Sequence, residues 1–134
     1  MNDPDLKLLK DVFEKYPEIQ AVYLFGSCAE GRVHHESDLD LAVIPGTENL
    51  KKRKLEILTE LAQHGFCDVD LVFLEEGDIV LQYEAIRQNV LVYQKPGFDR
   101  GGTYSRIVRR YLDFYPYLCV QREAYKKRIL DGKV

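Results

Sequence analysis

Little in this sequence suits a secreted, disulfide-bonded or membrane-embedded protein. Its three cysteines, Cys28, Cys67 and Cys119, are odd in number and widely spaced, so they predict neither a disulfide framework nor a zinc site. No apolar run is long enough to cross a bilayer, and the first residues lack the basic and then apolar order of a secretory signal. We therefore expect a cytoplasmic protein that makes no membrane contact.

Repeats and low-complexity tracts are absent as well. A chain of 134 residues with 46% hydrophobic content is long enough to bury one substantial core, and nothing in it suggests two full domains. Short apolar, β-branched runs alternate with segments of helical periodicity, which predicts strands and helices in a single fold. The four predicted strands are Ile19–Phe25, residues 38–44, residues 68–74 and residues 90–93.

Capping and breaking residues predict where the helices begin and end. Asp3 is placed to start a helix that Pro17 ends. Thr47 is placed to cap a helix that runs to His64, and Asp78 to cap a third helix. The residues expected on the inner faces of the second and third helices are Leu50, Ile57, Leu58, Leu61, Ala62, Ile79, Tyr83 and Ile86.

A long helix with one apolar stripe is predicted from Thr103 onward. Pro116 falls in its middle and removes a backbone hydrogen bond, so we expect a kink, or two helices that meet there. The stripe covers the back of the domain's own sheet, forms a partner surface, or does both, and its many tyrosines suit an interface. Its members are Tyr104, Val108, Tyr111, Tyr115, Leu118, Tyr125 and Ile129.

Charge is unevenly distributed along the chain. Residues 1–100 carry 11 Lys and Arg against 19 Asp and Glu, a net charge of −8, and residues 101–134 carry 8 against 3, a net charge of +5. This asymmetry is compatible with nucleic acid or an acidic partner surface, although a solvated basic helix face is the commoner case.

The most informative feature is a pair of aspartates at the head of the second predicted strand. Side chains two residues apart on a strand share a face, so Asp38 and Asp40 lie side by side while Leu39 and Leu41 pack on the other face. Two ionised carboxylates this close repel each other unless a cation neutralises them. Mg²⁺ suits such a pair because it completes its octahedron with water and substrate phosphate oxygens. The pair therefore indicates nucleotide chemistry.

A Gly-Ser turn after the first predicted strand fits the same ligand. Gly26 permits backbone angles that other residues avoid, and Ser27 is placed to cap a short helical turn over residues 27–36 whose N–H groups bind phosphate. Taken alone, the Gly-Ser pair is typical of a hairpin turn, and the Asp-x-Asp pattern is typical of a solvated strand start. With ten residues between Ser27 and Asp38, the two pieces together favour a nucleotide site.

The pattern G-S, ten residues, D-x-D resembles the signature of the minimal nucleotidyltransferases of the DNA polymerase beta superfamily. The resemblance implies an α+β fold over residues 1–98, in which a small mixed β-sheet is flanked by helices, and a C-terminal helical extension over residues 99–134. It also implies that the Gly-Ser element binds the triphosphate of ATP and that the aspartates are catalytic and bind Mg²⁺. The matching residues are Gly26, Ser27, Asp38 and Asp40.

Two further candidate site residues lie on a neighbouring predicted strand and in the Gly-Ser loop. The family usually takes a third carboxylate from a neighbouring strand, and the predicted strand over residues 68–74 offers Asp68 and Asp70. Asp70 is preferred because its neighbours on the strand are apolar, and Asp68 stays an alternative of the same parity. Arg32 lies in the Gly-Ser loop, where its planar guanidinium suits nucleotide phosphate. A surface ion pair with a nearby glutamate is an equally good account of Arg32.

A stand-alone chain of this size resembles the MNT-type antitoxins of the superfamily, which transfer AMP from ATP to a tyrosine of a HEPN-type toxin ribonuclease. The resemblance implies a hetero-oligomer with that toxin and no direct nucleic-acid substrate. Two alternatives stay open. One is a nucleotidyltransferase for a small molecule such as an aminoglycoside, and the other is a binding module that masks the toxin without chemistry.

Overall fold

The computed structural model describes residues 6–26, 39–75 and 78–130, with side chains as far as Arg128. The described strands and helices follow one another in the order that the sequence predicts. In chain order they are α1 (Leu6–Phe13), β1 (Ile19–Phe25), β2 (Leu39–Pro45), a 3₁₀ helix (Glu48–Arg53), α2 (Lys54–Gln63), β3 (Val69–Phe73), α3 (Ile79–Ile86), β4 (Val90–Gln94) and α4 (Arg100–Leu130).

The four strands form one sheet in the order β3, β2, β1, β4. β1 pairs antiparallel with β2 and with β4, whereas β2 and β3 are parallel. A parallel pair needs a crossover connection, and the 3₁₀ helix together with α2 provides it. This mixed sheet with helices on both faces confirms the predicted α+β fold.

Alternation of side chains along β2 divides the core into two layers. Leu41 and Val43 pack with buried residues of α1 and α2 on one face of the sheet. Ala42 and the half-buried Ile44 pack with α3 and α4 on the other. Because Asp40 has the parity of Ala42, its carboxylate lies on the face that α3 and α4 cover.

Cap geometry confirms one predicted helix start and corrects another. The Asp78 carboxylate accepts a hydrogen bond from the N–H of Leu81 at 3.2 Å, so Asp78 caps α3 as predicted. The side chain of Thr47 makes no cap bond, and the chain after it forms a 3₁₀ helix before α2 begins at Lys54. The single capped helix predicted from Thr47 is therefore wrong. Without a capping oxygen, the first turns close through i→i+3 bonds.

The inner faces of α2 and α3 also differ from prediction at two positions. Ala62 is exposed, because it lies about 140° round the helix from the fully buried Ile57. Gln82 is buried in α3, where a polar residue was not expected. Its side-chain amide donates to the carbonyl of Glu75 at 2.6 Å, which offsets part of the cost of burial.

Helix α4 begins three residues before the predicted start at Thr103. The Asp99 carboxylate accepts a hydrogen bond from the N–H of Gly102 at 2.9 Å and so caps the first turn. Ile107 is buried against α3 and the sheet. The N-terminal part of α4 therefore covers the domain's own sheet, as one of the two predicted roles of the apolar stripe requires.

Pro116 lies inside α4, which is one helix of 31 residues. The alternative of two helices that meet at Pro116 is therefore wrong. A proline forfeits one backbone hydrogen bond, and ring contacts of Tyr111 with Tyr115 and of Phe114 with Tyr117 link the turns around it. Among the described residues, no helix is both long and apolar enough to cross a membrane.

Two buried tyrosines provide a test of this core. The Tyr16 hydroxyl donates to the Glu60 carboxylate at 3.2 Å, whereas the buried Tyr23 hydroxyl has no hydrogen-bond partner among the described residues. We expect Tyr16→Phe to lower the free energy of unfolding by about 1 kcal/mol, and Tyr23→Phe to leave it unchanged or raise it. Urea denaturation at pH 7 measures both. An equal loss in the two variants would contradict the hydrogen-bond assignment.

The Tyr16 hydroxyl also makes stability depend on alkaline pH. Burial, and then the Glu60 carboxylate, raises the pKa of Tyr16 to about 12. Since tyrosine in an unfolded chain ionises near pH 10, the Tyr16 contribution is present below pH 10 and is lost as the pH rises toward 12. We expect the difference in unfolding free energy between wild type and Tyr16→Phe to shrink over that range. Urea denaturation at stepwise higher pH measures it, and a constant difference would refute the shift.

Candidate functional site

Two acidic side chains stand side by side at one end of the sheet. Asp40 and Asp70 are register partners in the parallel strands β2 and β3. Their Cα atoms are therefore one inter-strand spacing apart, about 4.8 Å, and their side chains project from the same face. Asp70 is exposed and Asp40 is half-buried. A solvent-borne cation or substrate can reach this end of the sheet.

The backbone of Gly26 packs directly against the Asp40 carboxylate. The antiparallel register pairs Phe25 with Asp40, which brings the end of β1 to the start of β2. Gly26 follows with a φ of 75°, and a Cβ added there would collide with Oδ2 of Asp40. Only glycine fits both the left-handed backbone and the close approach. The glycine of the Gly-Ser element and one of the paired aspartates are thus neighbours in the fold.

Asp68 has a different setting from Asp70. It precedes β3, and its carbonyl accepts a hydrogen bond from the N–H of Leu39 at 2.8 Å. Its backbone therefore anchors the start of β2, while its side chain is exposed. Of the two, Asp70 is the register partner of Asp40, so the geometry favours Asp70 as the third carboxylate.

Three predicted site residues, Ser27, Arg32 and Asp38, lie outside the described residues, as does the predicted helical turn over residues 27–36. Within the described ranges, no group of three or more Asp, Glu, His or Cys side chains is arranged to hold a metal ion. Asp40 and Asp70 present oxygen donors only, and Mg²⁺ prefers oxygen ligands. The described donors therefore fit the predicted Mg²⁺.

One contact near this end of the sheet was not predicted from the sequence. Asn89 adopts a φ of 57°, and its carbonyl and side-chain oxygens accept hydrogen bonds from the Arg100 guanidinium at 2.6 and 3.1 Å. The next residue, Val90, pairs with Leu24. The Asn89–Arg100 contact therefore holds α4 to the end of β4 that lies beside the end of β1. An asparagine between a helix and a strand is the signal that could have predicted this turn.

A cleft of about 900 Å³ lies at the opposite end of the sheet. It opens between the end of β2 and the first turns of α4, with Ile44, Thr103 and Arg106 among its walls, and it includes neither Asp40 nor Asp70. Ile44 is four residues beyond Asp40 on β2, which corresponds to about 13 Å. The cleft and the paired carboxylates are therefore separate.

Comparison with known proteins relates this architecture to one family. The family model described as polymerase beta, nucleotidyltransferase matches residues 7–97. The protein adenylyltransferase MntA of Shewanella oneidensis is 34% identical over 118 residues, which are 88% of this chain and 81% of the relative. The match to this relative extends beyond the family model, so it includes part of α4.

Two solved structures of toxin–antitoxin complexes contain a similar chain. One is a toxin–antitoxin with AMP-PNP. That match has 25% identity and a TM-score of 0.70, and covers 95% of this chain and 99% of the other. The second is a tri-AMPylated HEPN toxin of Shewanella oneidensis in complex with an MNT antitoxin. It has 26% identity and a TM-score of 0.57, and covers 93% of this chain and 92% of the other.

The contact between Gly26 and Asp40 can be tested against a matched glycine. Gly65 has a similar positive φ of 94°, but a Cβ there meets nothing within 4 Å. Both Gly26→Ala and Gly65→Ala cost about 1 kcal/mol of backbone strain, and only Gly26→Ala also displaces the Asp40 carboxylate. We expect Gly65→Ala to retain nucleotide affinity and Gly26→Ala to lose about tenfold or more. Calorimetric titration with Mg²⁺ and AMP-PNP measures this, and equal affinities would contradict the contact.

Proposed function

The chain belongs to the polymerase beta nucleotidyltransferase family, and on that premise we propose that it is an antitoxin that transfers AMP from ATP to a tyrosine of a HEPN-type toxin. The relative from Shewanella oneidensis is a protein adenylyltransferase. The similar chains in solved structures occur with AMP-PNP in one complex and with an AMPylated HEPN toxin in the other. These relatives support a nucleotide donor and a protein acceptor, joined in a hetero-oligomer.

The pairing of Asp40 with Asp70 beside Gly26 is the observation that carries this proposal. Two carboxylates on one face, Asp70 exposed and Asp40 half-buried, with a glycine backbone packed against Asp40, support a site for a metal-bound triphosphate. In the proposed site the catalytic residues and metal ligands are Asp38, Asp40 and Asp70, and the nucleotide contacts are Gly26, Ser27 and Arg32.

The proposed reaction is an in-line substitution at the α-phosphorus of ATP. The tyrosine oxygen bonds to that phosphorus, the bond from the phosphorus to the oxygen bridging to the β-phosphate breaks, and pyrophosphate leaves. Asp70 orients the tyrosine hydroxyl and accepts its proton, because it is the more exposed of the two paired carboxylates. Gly26 keeps the Asp40 carboxylate in position by close packing. Bound Mg²⁺ supplies charge neutralisation at the phosphate oxygens.

We divide the chain by role into a catalytic core over residues 1–98 and a helical extension over residues 99–134. Two observations support this division: the family model ends at residue 97, and α4 begins at Arg100. Burial of Ile107 against the core supports treating the two parts as one domain. We place the reaction in the cytoplasm, where ATP is supplied.

Masking of the toxin without chemistry is a second candidate function. It is favoured by the large apolar side chains that α4 exposes, such as Tyr117 and Val120. A protein that only masks has no need of paired carboxylates at a strand end, so the enzyme is the stronger candidate. The two functions differ in whether the toxin gains mass.

The roles proposed for Asp38 and Asp40 can be tested by measuring whether the toxin gains the mass of AMP. We expect Asp38→Asn combined with Asp40→Asn to lower AMP transfer by about 100-fold or more, because the charge that holds the metal is removed. The assay is the intact mass of a candidate HEPN-type partner protein, co-expressed with each variant. The toxin should gain one or more AMP groups when it is co-expressed with wild type, and none when it is co-expressed with the double variant.

The single variants Asp70→Asn and Asp68→Asn are matched controls for the third carboxylate. Asp70→Asn should reproduce the loss, and Asp68→Asn should retain most of the transfer. An inactive but unmodified toxin in the wild-type complex would favour masking. Transfer of AMP to an aminoglycoside and not to the toxin would favour the small-molecule enzyme.

A further inference from the structure

The C-terminal half of α4 exposes an unusual amount of apolar surface. We call residues 112–128 the distal α4. Beyond Ile107, no described residue of α4 is fully buried. Five of the nine large apolar side chains that are exposed on the described residues belong to the distal α4. They are Leu112 (62% exposed), Tyr115 (44%), Tyr117 (67%), Val120 (68%) and Tyr125 (60%).

One set of these residues faces away from the domain. Leu112 lies about 140° round the helix from the buried Ile107. Pro116 and Val120 follow Leu112 at i+4 and i+8, so the three residues form a single stripe on the outer face. The domain's own sheet packs against the opposite side of the helix and cannot cover this stripe.

A second set continues the face that packs on the core. Tyr111 stacks on Tyr83 of α3 with ring centroids 3.8 Å apart, and Tyr115 contacts Tyr111 at 6.0 Å. Tyr125 lies on the same face, five turns beyond Ile107. Its side chain is exposed. The distal α4 is therefore apolar on two opposite faces. Exposed apolar surface of this extent on a globular domain marks an interaction site.

The charge of the distal α4 specifies the chemistry of the enclosing surface. It carries four basic residues against two acidic ones, a net charge of +2, and three of the basic residues follow one another as Lys126, Lys127 and Arg128. Two copies of this segment would repel each other if they paired side by side. Apolar positions bordered by cations are complementary to an apolar groove bordered by carboxylates.

We propose that the distal α4 is the docking element for the partner protein and inserts into an apolar groove edged by Asp and Glu. This inference rests on the proposed function, which makes the partner the HEPN-type toxin. The catalytic end of the sheet then carries the chemistry, and the distal α4 holds the substrate protein. Docking and AMP transfer use different residues, so each can be removed without the other.

Leu112→Glu combined with Val120→Glu tests the outer stripe. We expect the Kd for the HEPN protein, measured by calorimetry with ATP omitted, to rise about tenfold or more, because buried apolar anchors dominate such interfaces. The apparent KM for the toxin in AMP transfer should rise by a similar factor with kcat unchanged. Leu55→Glu is the matched control, since Leu55 is 76% exposed on α2. It should leave both values unchanged, and thermal denaturation should show each variant folded.

Lys126→Gln combined with Lys127→Gln tests whether the distal α4 meets an acidic surface on the partner. Wild-type binding should weaken as NaCl increases, and this variant should show a shallower dependence because fewer opposite charges are screened. Lys52→Gln combined with Lys54→Gln is the control, because both lysines are exposed near the start of α2. It should retain the wild-type salt dependence.

The outcomes separate docking from chemistry. An unchanged Kd in the Leu112→Glu, Val120→Glu variant would overturn the docking proposal even if the toxin is AMPylated. A weakened Kd for a toxin that is never AMPylated would support docking and refute the proposed enzyme. Self-association of the wild type that the same variant abolishes, seen by sedimentation, would overturn the proposal in favour of a second copy of this chain.

Discussion

The close packing of the Gly26 backbone against the Asp40 carboxylate is the constraint on which the candidate site depends. It exists because β1 and β2 are antiparallel neighbours, so the end of one strand meets the start of the other. The parallel pairing of β2 with β3 then places Asp70 beside Asp40. A glycine turn and two carboxylates, which come from three different segments of the chain, thus lie together at one end of the sheet.

The two faces of the sheet give the helices different roles. α1 and α2 cover one face and bury its aliphatic residues, which makes them structural support. α3 and α4 cover the other face, the one from which Asp40 projects. α4 is longer than that face requires, and the surplus length carries apolar side chains into solvent. One helix therefore covers the sheet with its first part and exposes apolar side chains with its second.

Local patterns predicted the strands and one helix cap accurately, because alternation and capping act over a few residues. Asp78 caps α3 as its sequence position predicts. The wrong predictions concern helix boundaries, which depend on contacts with distant parts of the chain. Thr47 was a plausible cap, yet its side chain makes no cap bond. Of the two outcomes predicted for Pro116, two separate helices are wrong, because α4 continues through it, since the loss of one backbone bond is small against the bonds that remain.

The sequence by itself determined the family signature, the alternation of faces along β2, and the apolar excess of the C-terminal helix, because each depends on residue type and spacing alone. Only the tertiary structure decided that Asp70 and not Asp68 is the register partner of Asp40, and that Leu112 and Val120 point away from the core. Those facts depend on which strands pair and on where α4 extends beyond the core that it packs against. Such long-range choices are made by burial across the whole domain, and no local pattern contains them.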